Sequence, residues 1–207
     1  ANGGRADARK IGHDRERRRF ARHARRRRLA GGGAAAAISG ATAAALVEMV
    51  AGLSLKKSPD GAEAALQQRT AAQMVTVRAE LLTLADDDAN AYNAFIQAMR
   101  LPKIDESERE ERSRSMSAAA ERAAEIPLQT LRTITSIAEA ARLLTGRSLV
   151  SAASDLEVAL RFARAAGLSA AENVEVNLPF IDNPERRATL ANQTTTSVAA
   201  LERSTQS

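Results

Sequence analysis

Cysteine and tryptophan are absent from this chain, and only 2% of its 207 residues are aromatic. Without Cys there is no disulfide, no thiolate nucleophile and no Cys-ligated metal. With so few rings, the core must be filled by small and aliphatic residues, above all Ala, Leu and Val. Ala is also the best helix former, so the composition leans towards helices. Both histidines, His13 and His23, fall within the first 30 residues, and residues 31–207 contain none. That body therefore holds neither a Ser-His-Asp triad nor a His-ligated zinc site. Its chemistry rests on carboxylates, Lys, Tyr, Ser, Thr, amides or backbone groups.

The formal net charge of +5 is unevenly spread. Residues 1–30 hold 12 Lys+Arg against 3 Asp+Glu, leaving 18 basic and 22 acidic residues for the rest of the chain. The basic character belongs to one terminal segment, RERRRFARHARRRR at 15–28. Four readings apply to it. It can be an arm that contacts nucleic-acid phosphates, although Phe20 is its only interleaved aromatic. It can be the charged lead of a secretory signal. It can be a solvated tail. Or it can be an Ala-rich lead-in read in a shifted frame, since GCN codons read one base late become Arg codons. A tail or a shifted frame is favoured over nucleic-acid binding. Export or membrane insertion is disfavoured, because Ala and Gly dominate the following apolar stretch and Glu48 lies inside it. The organisation expected is a disordered or artefactual segment at 1–30 and one helical domain at 31–207.

The body reads as an all-α antiparallel bundle of about five long helices. A first helix is predicted over roughly 33–53. Gly33, Ala37, Gly40, Ala41 and Ala44 recur in steps of three and four, giving a smooth stripe that another backbone can approach. This helix is apolar nearly all round and is expected at the centre of the domain. Pro59-Asp60-Gly61 marks a turn, with Asp60 as N-cap of a long second helix that ends at Leu101-Pro102. The charged stretch 105–122 reads as a solvated helix or partly mobile connection. Pro127 kinks or starts a helix that closes at Thr145-Gly146. Ser151 or Ser154 is expected to cap a helix running to about Val176. Asn183-Pro184-Glu185 signals the start of the last helix, which reaches about residue 203.

Several segments carry a family likeness. GGGAAAAISGATAAALVEMVAGLSLKK at 31–57 places a triple glycine before an Ala-rich helix and a Lys pair. LADDDANAYNAFIQAMRLPK at 84–103, EIPLQTL at 125–131, SDLEVAL at 154–160 and AAENVEVNL at 170–178 follow in order. Together they resemble the formimidoyltetrahydrofolate cyclodeaminase and methenyltetrahydrofolate cyclohydrolase family over roughly residues 31–178. RRRRLA stands where that family has a proline-containing lead-in. Ser58-Pro59-Asp60 replaces a basic and an aromatic residue, and Ser154-Asp155-Leu156-Glu157 replaces Ser-Asp-Ala-Gly.

The resemblance implies a folate one-carbon enzyme, a homodimer or larger assembly, with a tetrahydrofolate derivative as substrate and no further cofactor or metal. A cytoplasmic location is expected. The activity it favours is hydrolysis of 5,10-methenyltetrahydrofolate. The alternatives are ammonia-releasing cyclodeamination and a non-enzymatic helical module with a basic arm. Among the adjacent acids Asp86, Asp87 and Asp88, the resemblance points to Asp88 as the catalytic carboxylate, with Asp87 second; spacing alone equally allows all three to be solvated. Lys56 and Lys57 either move protons or clamp the folate's glutamate carboxylates, or else compensate the helix dipole. Gly31, Gly32 and Gly33 let backbone amides approach a ligand. Ser39, within AAAAISGA, and Tyr92, one turn beyond Asp88, join the expected substrate wall. Asn173 and Asn177, spaced i and i+4, offer amides to a pterin edge or cap locally. Ser154 and Asp155 complete the set, with Asp155 readable equally as a first-turn helix acid.

Overall fold

A computed structural model describes residues 31–206, and everything structural below refers to them; the Arg-rich segment lies outside. Five long helices follow one another: α1 Gly32–Lys57, α2 Ala64–Met99, α3 Glu106–Leu144, α4 Ala153–Glu175 and α5 Pro184–Thr205. Short 3-10 turns at Val150–Ala152 and Leu178–Phe180 join the last three. Close pairs fix the directions of the neighbours. Asp88 meets Ala34 while Leu81 lies against Gly40, so α1 and α2 are antiparallel. Gln67 bonds Arg147 while Arg112 bonds Met99, so α2 and α3 are antiparallel. Asn177 bonds Ala123 while Leu131 lies against Gly167, giving the same sense to α3 and α4.

The first helix sits at the centre, packed on α2, α3 and α4. Its stripe of Gly33, Ala37, Gly40, Ala41 and Ala44 is wholly buried inside this one chain. A Cβ at Gly40 would lie 2.7 Å from Ile134 Cγ1 and 3.2 Å from Leu81 Cδ1, so neighbouring side chains of the same bundle fill the groove. The stripe expected to invite another backbone is thus consumed internally. The lone charge inside the helix, Glu48, is met by Arg78 at 3.1 Å.

Three expectations about boundaries are corrected. Asp60 does not cap α2: the helix begins at Ala64 after Glu63, with no side-chain cap. Neither Ser151 nor Ser154 caps α4, whose N-cap is Ala152. Of the two readings of 105–122 the solvated helix holds and the mobile connection does not, and Pro127 is no boundary, because α3 runs unbroken for 39 residues with Pro127 buried inside it. Asp105 starts it by accepting from Glu108 N at 2.8 Å. The charged residues occupy its outer face, while Ala120, Ala123 and Ala124 already point inwards. Asn183 caps α5 as expected, accepting from Glu185 N and Arg186 N. Gly146, at φ 72°, closes α3 in the left-handed region that glycine favours.

The lengths differ in a way that positions the site. α2 and α3 have 36 and 39 residues against 26 in α1, so they project past its N-terminus. A second small core fills this projection, built from Ala120, Ala124, Leu128, Val174, Leu178, Ile181 and Leu190 with Phe95 against it. Arg186 at the start of α5 grips both Glu121 and Glu125 on α3 there.

Candidate active site

The first turn of any helix leaves backbone N–H groups without partners, and it carries the positive end of the helix dipole. In α1 the preceding residue is Gly31, at φ 117°, which supplies no side chain to cap it. The cap comes instead from 54 residues away: Asp88 Oδ2 accepts from Ala34 N at 2.9 Å. Glycine makes this possible. A Cβ on Gly33 would lie 2.1 Å from Asp88 Oδ1, and one on Gly32 would lie 2.9 Å from Asn173 Nδ2. The triple glycine therefore clears the space into which an α2 carboxylate and an α4 amide lie against the backbone of α1.

Burial pushes the Asp88 carboxyl above its ordinary pKa, and the hydrogen bond from Ala34 N–H offsets only part of that rise. A capping carboxylate usually moves the other way. Asp88 is thus a group that takes up a proton more readily than a surface acid while remaining half-buried beside a fixed donor. Asp87 is also half-buried and lies next to it in sequence. Tyr92 sits one turn further along α2 with 53% of its surface exposed, and Ser39 is half-buried in α1.

Asn177 is fixed by a device spread over two helices. Pro127 has no N–H, so the carbonyl four residues earlier, Ala123 O, loses its helical donor. Asn177 Nδ2 donates to that same oxygen at 3.0 Å and to Asn173 O at 2.7 Å. Asn173 Nδ2 donates to Ser169 O at 2.7 Å, which is the local backbone role open to it from sequence. These bonds use the amide nitrogens and leave the two Oδ1 atoms to accept from a bound group.

The structure separates the sequence-derived candidates into two groups. Gly31, Gly32, Gly33, Asp87, Asp88, Asn173 and Asn177 gather at the N-terminal end of α1. Lys56 and Lys57 are exposed at the other end, about 37 Å away at 1.5 Å per residue. Ser154 and Asp155 lie there too, just after Leu149, whose N–H donates to Ser54 Oγ at 2.8 Å. That end carries a cleft of about 250 Å³ lined by Ser54, Lys57, Ser58, Gln67, Arg147 and Ser148. Gln67, buried at its edge, donates through Nε2 to Arg147 O at 2.8 Å.

Sequence reasoning missed several participants. The Ala34 N–H has no side-chain signature at all. Pro127 was visible, but its freed carbonyl points to Asn177 only once α3 and α4 are packed. Lys103, Arg109 and Arg112 look like ordinary surface charges, yet with Met116, Phe180 and Asp182 they line a second cleft of about 400 Å³.

The sequence matches the family described as formiminotransferase-cyclodeaminase over residues 18–196. It is 36% identical over 146 residues to a methenyltetrahydrofolate cyclohydrolase of Methylorubrum extorquens, covering 70% of each chain. It is 30% identical over 102 residues to the formimidoyltransferase-cyclodeaminase of Gallus gallus, covering 49% of this chain and 19% of that longer one. The crystal structure of a formiminotetrahydrofolate cyclodeaminase from Thermotoga maritima superposes with a TM-score of 0.77 at 26% identity, covering 87% of this chain and 86% of the other.

Proposed function

The chain belongs to the formiminotransferase-cyclodeaminase family, and from that premise we propose that it is an enzyme of folate one-carbon metabolism that hydrolyses 5,10-methenyltetrahydrofolate to 10-formyltetrahydrofolate. One observation carries the reading. A half-buried carboxylate with a raised pKa, Asp88, is held on the positive end of α1 beside two asparagine amides.

The substrate bears an amidinium-like cation, with one carbon bridging N5 and N10. Ionised Asp88 attracts that cation and accepts a proton from water as its oxygen attacks the bridging carbon. The neutral hydroxyl adduct then takes the proton from Asp88 onto N5. The bond from carbon to N5 breaks, the carbonyl forms, and the hydroxyl proton leaves to solvent. The formyl group stays on N10, and one proton is released per turnover. The free oxygens of Asn173 and Asn177 suit the amino and N–H groups of a pterin edge. Tyr92 offers a wall beyond the carboxylate, and Asp87 adds negative charge near the cation. The chain's own residues meet the needs of this hydrolysis with the tetrahydrofolate substrate alone.

The likeness to the Thermotoga maritima enzyme supports a second reading, cyclodeamination of formimidoyltetrahydrofolate with release of ammonia, which closes the same ring in the same pocket. A paired assay separates them. Loss of the methenyl absorbance without ammonia from the formimino compound supports hydrolysis; ammonia release from the latter supports the second reading. We place the enzyme in the cytoplasm. Although α1 is long and apolar enough to cross a bilayer, 56% of its most apolar window is buried inside the domain. We expect a homodimer. The internal stripe no longer argues for it, but the exposed Met49 and Leu53, one turn apart on α1, offer an apolar face. A monomer mass by light scattering at micromolar concentration would refute the dimer. The nucleic-acid reading concerns residues outside those described.

A further inference from the structure

Asp88, Tyr92, Phe95 and Met99 are spaced i, i+4, i+7 and i+11, so they line one face of α2. That face runs from the catalytic carboxylate out along the projection beyond α1. Phe95 meets the ring of Phe180 edge-on, with centroids 5.1 Å apart. Phe180 follows three residues after Asn177 and itself lines the 400 Å³ cleft. At the end of the stripe the Met99 carbonyl accepts from Arg112 Nε at 3.1 Å, which brings the guanidinium to the same cleft. Asp88 and Met99 are therefore about 16 Å apart along the helix. Tyr92, Met99 and Phe180 leave apolar surface exposed on the way.

The cleft is cationic. Arg109 is partly occupied by Glu106 and the Ile104 carbonyl. Asp182 is turned towards Ser113. Arg112 uses only its Nε on the Met99 carbonyl, and no acid among the described residues pairs with Lys103. Three cations thus face the one acid of an open cleft, Asp182, which accepts from the cleft's own Ser113, and Lys103 and Arg112 keep N–H groups free.

We propose that this cleft is the subsite for the carboxylates of the substrate's glutamate tail, with the aminobenzoyl ring lying along the Tyr92–Phe180 wall. The assignment rests on the folate reading above. It follows from placement: a bridge carbon at Asp88 puts the reduced pterin among Asn173, Asn177 and the glycines. An aryl ring must then cross apolar surface, and paired carboxylates must end on cations. Lys56 and Lys57, the residues that the family likeness offers for this task, lie at the opposite end of α1.

The test uses the full-length protein and two cation substrates: methenyltetrahydrofolate and the corresponding methenyltetrahydropteroate, which lacks the glutamate. The wild type should show a KM about tenfold lower for the glutamate form, the scale of a solvent-exposed charge-assisted contact. Lys103→Gln combined with Arg112→Gln should raise KM for the glutamate form until the two substrates match, with kcat within about twofold of wild type. Binding of 5-formyltetrahydrofolate and its pteroate analogue by calorimetry should show the same preference and the same loss. Equal KM and Kd values for the two forms in the wild type would overturn the assignment, as would a variant that weakens both forms alike. A variant that loses its helical circular dichroism is replaced by Lys103→Gln alone, for which a partial loss of the preference is expected and an unchanged preference overturns the proposal. Binding with the glutamate preference but no turnover would keep the subsite and remove the cyclohydrolase reading. Neither binding nor turnover would remove both.

Discussion

The two ends of α1 show how differently one helix can be used. At its N-terminus the side chains have been stripped away, and a carboxylate and an amide from other helices lie directly against its backbone. At its C-terminus two exposed lysines occupy the last turn beside a polar cleft. Both ends complement the helix dipole, anion at the start and cations at the finish. At the first end that complementarity comes with partial burial, which raises the Asp88 pKa, whereas the two lysines at the other end are exposed. The difference between the ends lies in desolvation: a charged group beside a fixed donor at the first, solvated charges at the second.

The sharpest way to break this contrast is Asp88→Asn, which keeps shape and removes charge. The chemical step should slow by roughly 100-fold or more, while Asp86→Asn, two positions round the helix, should leave most of the rate. Equal losses would reduce the site to a general electrostatic effect. The pH profile adds a second reading. Rate should fall on the acid side as Asp88 takes up its proton, with a midpoint above an ordinary Asp value, and the Asn variant should lack that limb. The stability sign follows from the same shift. The folded state holds the Asp88 proton more tightly than the unfolded state, so folding loses stability as pH rises from the ordinary value through the raised one. Asp88→Asn should therefore melt higher than wild type at neutral pH, and the difference should vanish at low pH.

Gly33→Ala is expected to rank next. The new methyl would occupy the position of Asp88 Oδ1, so the carboxylate must leave the Ala34 N–H. A rate loss of more than tenfold should accompany a destabilisation of about 1–3 kcal/mol, the usual scale of overpacking. Kinetics and a urea midpoint read the two effects separately. A fully active variant would show that the cap is dispensable.

Pro127→Ala should be milder and more selective. It supplies an N–H that competes with Asn177 Nδ2 for the Ala123 carbonyl. Asn177 should loosen, raising KM several-fold with little change in kcat, and the melting temperature should hold or rise because a helix interior tolerates Ala better than Pro. An unchanged KM would make Asn177 irrelevant to binding. The smallest effect is expected for Lys57→Gln, within twofold in kcat/KM. A loss comparable to that of Asp88→Asn would instead mean that a partner subunit carries this end of α1 to the carboxylate of its neighbour.

Much of the fold was legible because it rests on local rules. The triple glycine, Leu101-Pro102, Gly146 and Asn183-Pro184 each mark a helix end through backbone geometry that only those residues supply or forbid. The errors came where a local rule competed with packing. Asp60 looks like a cap, but the chain makes another turn before α2 begins. Pro127 looks like a boundary, yet the helix continues through it because both flanks bury Ala and Ile faces, and Asn177 supplies a partner for the freed carbonyl. Asp88 could be singled out from its neighbours only by family likeness, since three adjacent acids are equivalent until one meets the N-terminus of α1. The separation of Lys56 and Lys57 from Asp88 was written in the length of α1 itself. The cationic cleft was not readable, because it joins the end of one helix, the start of the next and a short turn 70 residues later.

The overhang of α2 and α3 has a consequence for how the protein breathes. Residues 99–107, at the connection between them, are all exposed, and the small core beneath the overhang is separate from the main one. Amide protons there should exchange with solvent through local opening, long before those of α1, whose exchange requires the whole bundle to come apart. A ligand spanning from Asp88 to the Met99 end would bridge the two cores, so its binding should slow exchange at the outer end of α2 far more than at the centre, where α1 is already buried.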